Sequence, residues 1–282
     1  MNKISKMLGI LMLMLTVFTT FSCSDDNDNT PAWQALAGEY TGWTSGKFAY
    51  SPTPLATDGE KLTVAVADGK MNIQLVSAQW GTATVNDVAV VTTTDGFSLS
   101  GTGSATLGMS GSEAKAYDCT LTGTISKDRK TANVVLTYPA VMGGTTVTFA
   151  LGEAPAAQLV AGSYKGWSSA KFKYSPNPMN TDGEKVAVTS NEDGTINVTF
   201  TSTQWGTATI ANAKVEKTAD GFSLSGQGKA TMGMNGSSSE YDCTLEGTIS
   251  KDKDEYSLVF NVPAVMGGLN ITFAQGSAPS AE

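Results

Sequence analysis

An internal repeat constrains the fold of this chain more than any other feature of its sequence. Residues 117–128 read YDCTLTGTISKD, and residues 241–252 read YDCTLEGTISKD. Other matching pairs follow in the same order: LAGEYTGW at 36–43 and VAGSYKGW at 160–167, TDGEK at 57–61 and 181–185, QWGTAT at 79–84 and 204–209, GFSLSG at 96–101 and 221–226, and PAVMGG at 139–144 and 263–268. The offset is 124 or 125 residues throughout, which is the length of a whole domain rather than of a solenoid unit. The sequence therefore predicts two homologous domains.

Within one copy, the sequence pattern predicts β-structure. Short segments of alternating apolar and polar residues are separated by turns that contain Gly and Asp, and no ten-residue segment has helical periodicity. The predicted strands of the first copy lie near 39–50, 60–67, 71–79, 83–92, 97–109, 115–126, 131–139 and 145–151. Eight strands with short links favour an antiparallel up-and-down barrel, which has no exposed edges; a two-sheet sandwich is the alternative. The interior of such a barrel is filled by side chains or holds one small ligand.

Each copy contains one cysteine, Cys119 or Cys243, in the segment YDCTL. The cysteine shares the apolar face of its strand with the neighbouring Tyr and Leu, because alternate residues of a strand point to the same side. A single thiol cannot form a disulfide within its own domain. The two cysteines are therefore interpreted as small buried hydrophobic residues.

The N-terminus resembles a bacterial lipoprotein signal, with Lys3 and Lys6 before an apolar run that ends at Cys23. The run is too short for a comfortable membrane span. The resemblance implies that residues 1–22 are removed and that Cys23 carries the lipid; an ordinary secretory peptide is the alternative.

Residues 24–29 read SDDNDN, which suits a solvated tether and resembles the export signal of Bacteroidetes surface lipoproteins. We expect a signal peptide at 1–22, a tether at 23–33, barrels at 34–153 and 157–277, and a location on the outer face of the outer membrane.

The charge balance excludes one class of partner. The chain has 18 basic and 26 acidic residues, a formal net charge of −8, and Arg129 is its one arginine. Recognition of nucleic acid needs clustered Lys and Arg side chains. No nucleic-acid partner is therefore expected.

The sequence offers no catalytic constellation. It contains no histidine, which removes Ser/His/Asp systems, Cys/His systems and histidine zinc sites. A pair of carboxylates can hydrolyse glycosides, and six acids recur in both copies: Asp58, Glu60, Asp118, Asp182, Glu184 and Asp242. We interpret these six as solvated residues of turns and outer faces. No catalytic residue, cofactor or metal site is predicted, and the chain is not expected to be an enzyme.

The two copies resemble the calycin-like β-barrel domains of Bacteroidetes lipoproteins, which share their architecture with lipocalins. The resemblance rests on the entry LAGEYTG, the central GFSLSGTG, the strand YDCTLTGT and the closing PAVMGG, and it implies two tandem eight-stranded antiparallel barrels with no established shared activity. Lipocalins place a Gly-x-Trp on the first strand and a basic residue on the last strand. Here Tyr40 and Tyr164 take the tryptophan position, and no Arg or Lys occurs in 145–152 or 269–276. A lipocalin ligand therefore cannot be carried over.

Aromatic side chains are the candidate binding residues. On the first strand of each copy, aromatic residues share one face with small residues: Tyr40, Phe48 and Tyr50, then Tyr164, Phe172 and Tyr174. Such a face is either a packed core or the wall of an apolar pocket. Four tryptophans fall on the opposite alternation and are candidate surface aromatics: Trp43, Trp80, Trp167 and Trp205. An outward tryptophan suits a sugar ring or the sister domain, whereas an unrecognised bulge would turn it inward.

These features favour a lipid-anchored cell-surface module that binds a small apolar molecule or a glycan and is not catalytic. The alternative is a structural or protein-interaction lipoprotein with filled barrels and no small ligand. The expected partners are the outer membrane through the anchor, a small apolar ligand or glycan, and a cell-surface protein.

Overall fold

The computed structural model describes residues 30–107, 114–175, 177–234 and 237–279. The predicted signal peptide, the predicted lipidation site Cys23 and most of the predicted tether lie outside these residues. Both copies of the repeat fold into closed antiparallel barrels of eight strands. The barrel prediction is confirmed, and the sandwich alternative is wrong.

Barrel 1 is preceded by a 3-10 helix at Ala32–Leu36. Its strands are β1 (Gly38–Phe48), β2 (Ser51–Ala67), β3 (Lys70–Ser77), β4 (Gly81–Thr92), β5 (Gly96–Leu107), β6 (Lys115–Ser126), β7 (Ala132–Tyr138) and β8 (Thr145–Leu151). Each strand pairs with the next, and pairing of β1 with β8 closes the cylinder.

Barrel 2 repeats this order after the short helix α1 (Ala156–Val160). Its strands are β9 (Gly162–Phe172), β10 (Met179–Ser190), β11 (Ile196–Ser202), β12 (Gly206–Lys217), β13 (Gly221–Met234), β14 (Ser237–Ser250), β15 (Tyr256–Val262) and β16 (Leu269–Gln275). Pairing of β9 with β16 closes it. Within the described residues, no helix is both long enough and apolar enough to span a bilayer.

The sequence placed the second strand too late, because TDGEK has the composition of a turn. In the structure β2 already begins at Ser51, and TDGEK lies within it. A bulge makes this possible: Trp43 pairs with Asp58 and Gly42 with Glu60, so Gly59 is the extra residue. Gly59 adopts a φ of 74°, a conformation that glycine reaches without steric cost.

Both cysteines are buried in the barrel cores, as the alternation predicted. Burial raises the pKa of the Cys119 thiol and raises that of Cys243 to about 11. Thiols in apolar surroundings stay protonated and unreactive. Their role is therefore packing.

One end of each barrel is covered, and we call it the closed end. In barrel 1 the hydroxyl of Tyr40 donates to the carbonyl of Leu36 at 2.7 Å. The guanidinium of Arg129, in the turn after β6, lies 5.1 Å from the centre of the Tyr40 ring and donates to the carbonyl of Ala35. In barrel 2 Tyr164 donates to the carbonyl of Val160 at 2.6 Å. The tyrosines thus tie the segments before β1 and β9 over the barrel ends.

The described residues of both barrels belong to one compact unit and meet at a short junction. The backbone N–H of Ala154 donates to Asp58 of β2 at 3.1 Å. Lys217 of β12 forms ion pairs with Glu153 at 2.9 Å and with Asp58 at 3.5 Å. A lysine of barrel 2 is thereby joined to an aspartate of barrel 1.

Candidate ligand-binding site

The end of barrel 2 opposite the closed end contains a cavity of about 470 Å³. Drug-sized ligands bind in cavities of roughly this volume that are mostly apolar with a few polar groups. The lining is formed by Phe172, Met179, Gln204, Trp205, Met232, Gly233, Ser239, Tyr241, Ala264, Val265, Met266 and Leu269. No charged side chain occurs among these residues. We call this region the open end of barrel 2.

The sequence left open whether Trp80 and Trp205 point outward or inward, and the structure contradicts their candidacy as surface aromatics: their side chains are 8% and 7% exposed. Both residues lie in the turn after a strand, where strict alternation has ended. The hydroxyl of Ser202 accepts the backbone N–H of Trp205 at 2.9 Å, and Ser77 does the same for Trp80. Each serine folds its turn back over the barrel end, so the indole points inward.

The six aromatic residues of the first strands do not form one group. Tyr40 and Tyr164 are buried at the closed ends, away from the cavity. Tyr50 and Tyr174 are 80% and 73% exposed, because the strands end at Phe48 and Phe172 and the tyrosines fall in the following turns. Their placement on the inward face is therefore wrong.

The four remaining aromatic candidates lie in different surroundings. Phe172 lines the cavity and packs edge-on against Trp205, with 6.3 Å between the ring centres. Phe48, its counterpart, packs against the core of barrel 1. Trp43 and Trp167 are half-buried, and the indole N–H of Trp167 donates to the carbonyl of Gln275 at 3.1 Å.

Glu60 and Glu184 were interpreted as solvated turn acids, and this interpretation is wrong. They are 3% and 2% exposed, because each lies on the strand just after the bulge, in phase with the inward-facing residues that follow it. The hydroxyl of Ser202 donates to Oε1 of Glu184 at 3.0 Å. Burial raises the pKa of both carboxyls, and hydrogen bonding by Ser77 or Ser202 offsets only part of the rise.

These glutamates are the residues that sequence reasoning missed. The signal was present, since Glu60 has the same phase as the buried Leu62 and Val64 of its strand. Among the described residues, no three His, Cys, Asp or Glu side chains come together as a possible metal site. Each barrel therefore contains one buried glutamate, and neither glutamate is part of a possible metal site among the described residues.

The comparisons with known proteins agree with this architecture. The family model of the calycin-like beta-barrel domain matches twice, at residues 36–150 and 160–274. The chain belongs to this family, with two tandem copies of its domain. No curated protein gives a significant match.

Several solved structures are similar to the chain. A Bacteroides fragilis protein, provisionally assigned to the outer membrane, matches with a TM-score of 0.66 and 25% identity, over 87% of this chain and 99% of its own. Transferrin-binding protein B of Neisseria meningitidis matches at 13% identity with a TM-score of 0.27, over 78% of this chain and 52% of its own. A variant of the same protein from Haemophilus parasuis matches at 11% identity with a TM-score of 0.27, over 84% and 75%. Scores this low carry no argument about function.

Proposed function

We propose that this chain is a lipid-anchored cell-surface protein that captures a small apolar molecule at the open end of barrel 2 and catalyses no reaction. The observation that carries the proposal is the cavity of about 470 Å³ with its uncharged lining. It favours binding over the alternative of two filled barrels. It also favours an apolar molecule over a glycan, because a glycan would need many polar partners.

The aromatic and methionine side chains of the lining suit an apolar guest of irregular shape. Phe172 and Trp205 provide large rigid surfaces, and Met179 and Met232 provide flexible side chains that adapt to different shapes. Burying apolar area on these residues supplies the binding free energy. The chain also lacks the histidine on which most nucleophilic and zinc-dependent catalysis relies.

Titration with N-phenyl-1-naphthylamine, an uncharged dye that fluoresces in apolar surroundings, tests the binding proposal. The mature protein should bind one dye molecule. Val265→Trp should abolish binding, because Val265 lines the cavity and a larger side chain there fills it. Val141→Trp, the matched change in barrel 1, should bind the dye like the wild type. Equal binding by the Val265→Trp and wild-type proteins would refute the site.

The proposed anchor is Cys23, and the proposed location is the outer face of the outer membrane. The similarity over 87% of the chain to a Bacteroides fragilis protein provisionally assigned to the outer membrane supports this location. Cells fed an alkyne-tagged fatty acid should label the wild type and not a Cys23→Ser variant. Protease added to intact cells should degrade the wild type if it faces outward, whereas full protection would contradict surface display.

A further inference from the structure

The lining of the barrel 2 cavity changes from buried and apolar to exposed and polar. Leu269 and Trp205 line the cavity, are 0% and 7% exposed, and belong to the hydrophobic core of the barrel. Gln204 and Ser239 also line it, and both are exposed. We call Leu269 and Trp205 the floor of the cavity, and Gln204 and Ser239 its rim.

The floor presents an apolar surface to a guest. The next inward residue of β16 after Leu269 is Ile271, which pairs with Ala170 of β9, and both are fully buried. Nε1 of Trp205 is itself buried from solvent, so the indole meets the cavity with its ring carbons. A hydroxyl or a charged group placed against these residues would lose its hydration without gaining a partner, which is unfavourable.

The rim offers hydrogen bonds without burial. Oε1 of Gln204 accepts a hydrogen bond from the hydroxyl of Thr181 at 2.6 Å, so the amide N–H groups of Gln204 remain as donors. Ser239 pairs with Met232 across β13 and β14, and its hydroxyl can both donate and accept. A polar group of the guest can therefore hydrogen-bond at the rim while it stays in contact with water.

Barrel 1 differs from barrel 2 at four of the corresponding positions. Barrel 2 has Met179, Met232, Ser239 and Leu269 where barrel 1 has Leu55, Leu107, Lys115 and Thr145. The change from threonine to leucine removes a hydroxyl from the floor, and the change from lysine to serine removes a charge from the rim. The two methionines replace branched side chains with flexible ones that adapt to the shape of a guest.

We propose that barrel 2 binds a single-chain amphiphile tail first. The apolar chain lies on the floor of Leu269 and Trp205, and the one polar head group stays at the rim beside Gln204 and Ser239. The ligand class is an amphiphile with one polar end that accepts hydrogen bonds, such as a long-chain alcohol or carboxylate. This inference rests on the proposed function of barrel 2 and specifies the class and the orientation of its ligand.

A probe with two polar ends tests the floor. The affinities of 1-decanol and 1,10-decanediol are measured by displacement of N-phenyl-1-naphthylamine from the mature protein. We expect 1-decanol to bind at least about tenfold more tightly, because the second hydroxyl of the diol would be buried against the floor without a partner. Equal affinities would mean that the floor accepts a polar group, and they would overturn the inference.

A charge placed at the rim tests the position of the head group. Ser239→Lys gives barrel 2 the residue that barrel 1 has at this position, and the exposed site tolerates a longer side chain. The ratio of decanoate affinity to decyltrimethylammonium affinity should rise at least about threefold, since the new ammonium group attracts one head group and repels the other. The rise should shrink in 1 M salt. Ser100→Lys adds the same charge at an exposed position of barrel 1 and should leave the ratio unchanged.

The outcomes separate this inference from the proposed function. A ratio that Ser239→Lys does not change, or that Ser100→Lys raises equally, would place the head group away from the rim and overturn the tail-first orientation, while dye binding would leave the binding function intact. Dye binding that no ten-carbon probe displaces would also overturn the inference alone. Failure of the dye itself to bind would overturn the proposed function and, with it, this inference.

Discussion

The open ends of the two barrels differ by one methyl group beneath the tryptophan. In barrel 1 the indole of Trp80 lies directly on Gly46 of β1, where an added Cβ would overlap with the ring. In barrel 2 the counterpart of Gly46 is Ala170, which is fully buried. The indole of Trp205 therefore cannot take the same position, and it packs against Phe172 at the edge of the cavity. A single side-chain carbon thus decides where an otherwise identical residue lies.

The closed ends differ as well. Barrel 1 places the guanidinium of Arg129 over the ring of Tyr40. Barrel 2 instead packs Tyr256 edge-on against Tyr164, with 5.0 Å between the ring centres; its counterpart in barrel 1 is the small Ala132. A cation over a ring and a second ring on its edge both match the charge distribution of an aromatic face. The tyrosine bond to the preceding segment is common to both ends, so the fold depends on that bond and tolerates variation around it.

Removing each tryptophan should produce the largest difference between the barrels. Trp80→Ala is expected to destabilise barrel 1 by about 3–5 kcal/mol, the usual cost of emptying a large core site. Trp205→Ala should cost barrel 2 about 3 kcal/mol or less, because the ring already borders a cavity and leaves less packing to lose. Hydrogen-exchange mass spectrometry on peptides from each barrel measures both effects, with the unmutated barrel as internal control. An equal or greater loss in barrel 2 would contradict the comparison.

Exchanging the methyl group should have a smaller effect. Gly46→Ala is expected to destabilise barrel 1 by about 1–3 kcal/mol, because the new Cβ displaces Trp80. Ala170→Gly in barrel 2 lacks that clash and should cost about 1–2 kcal/mol, from backbone entropy and from the loss of one buried methyl group. Near-ultraviolet circular dichroism should report a changed environment of Trp80 in the first variant. A Gly46→Ala protein with wild-type stability would show that the indole moves freely and would weaken the comparison.

Much of the fold could be predicted from sequence. The offset of the repeat predicts two domains, and the two-residue alternation predicts eight antiparallel strands in each; these patterns favour a closed barrel but leave the two-sheet sandwich as an alternative. The predicted strand bounds failed where a bulge or a turn breaks the alternation. The turn-like composition of TDGEK hid the inward direction of Glu60, and the turn after β3 hid that of Trp80.

The candidate site was harder to predict than the fold. Phe172, one of the candidates from the sequence, lines the cavity. The partner of Tyr40 was missed, because Arg129 lies 89 positions further along the chain in a different turn. The alternation of apolar and polar residues predicts which face of a strand a residue occupies. It does not predict which distant turn covers the end of a barrel. The same limit applies to the cavity, which depends on the positions of several turns together.

The buried glutamates should make the stability of the folded protein depend on pH. Replacing both by glutamine should remove this dependence. Burial raises the pKa of Glu60 and Glu184 above the ordinary value of 4.5, so the folded state keeps these protons after the unfolded state has lost them. Stability contributed by these groups is therefore fully present below pH 4.5 and is lost as the pH rises through the folded-state pKa. The stability of a Glu60→Gln, Glu184→Gln protein relative to the wild type should increase from pH 4 to pH 7 in calorimetry. The exposed Glu39→Gln variant controls for loss of a surface charge. A difference that stays constant or decreases with pH would show that the carboxyls are ionised in the fold.

The junction between the barrels should show the smallest effect. The contact between the Ala154 N–H and Asp58 recurs at the end of barrel 2, where the N–H of Ala278 donates to Asp182 at 2.7 Å. The ion pairs of Lys217 do not recur, because its counterpart in barrel 1 is Thr92.

Lys217→Met is accordingly expected to weaken the contact between the barrels by less than about 1 kcal/mol, since the pairs are partly exposed. The effect should shrink further in 1 M salt, where charges are screened over about 3 Å. Faster hydrogen exchange in residues 152–161 measures the loss. Lys229→Met removes ion pairs that lie wholly within barrel 2 and should leave exchange at the junction unchanged. If the two variants behave alike there, the lysine pairs do not hold the barrels together.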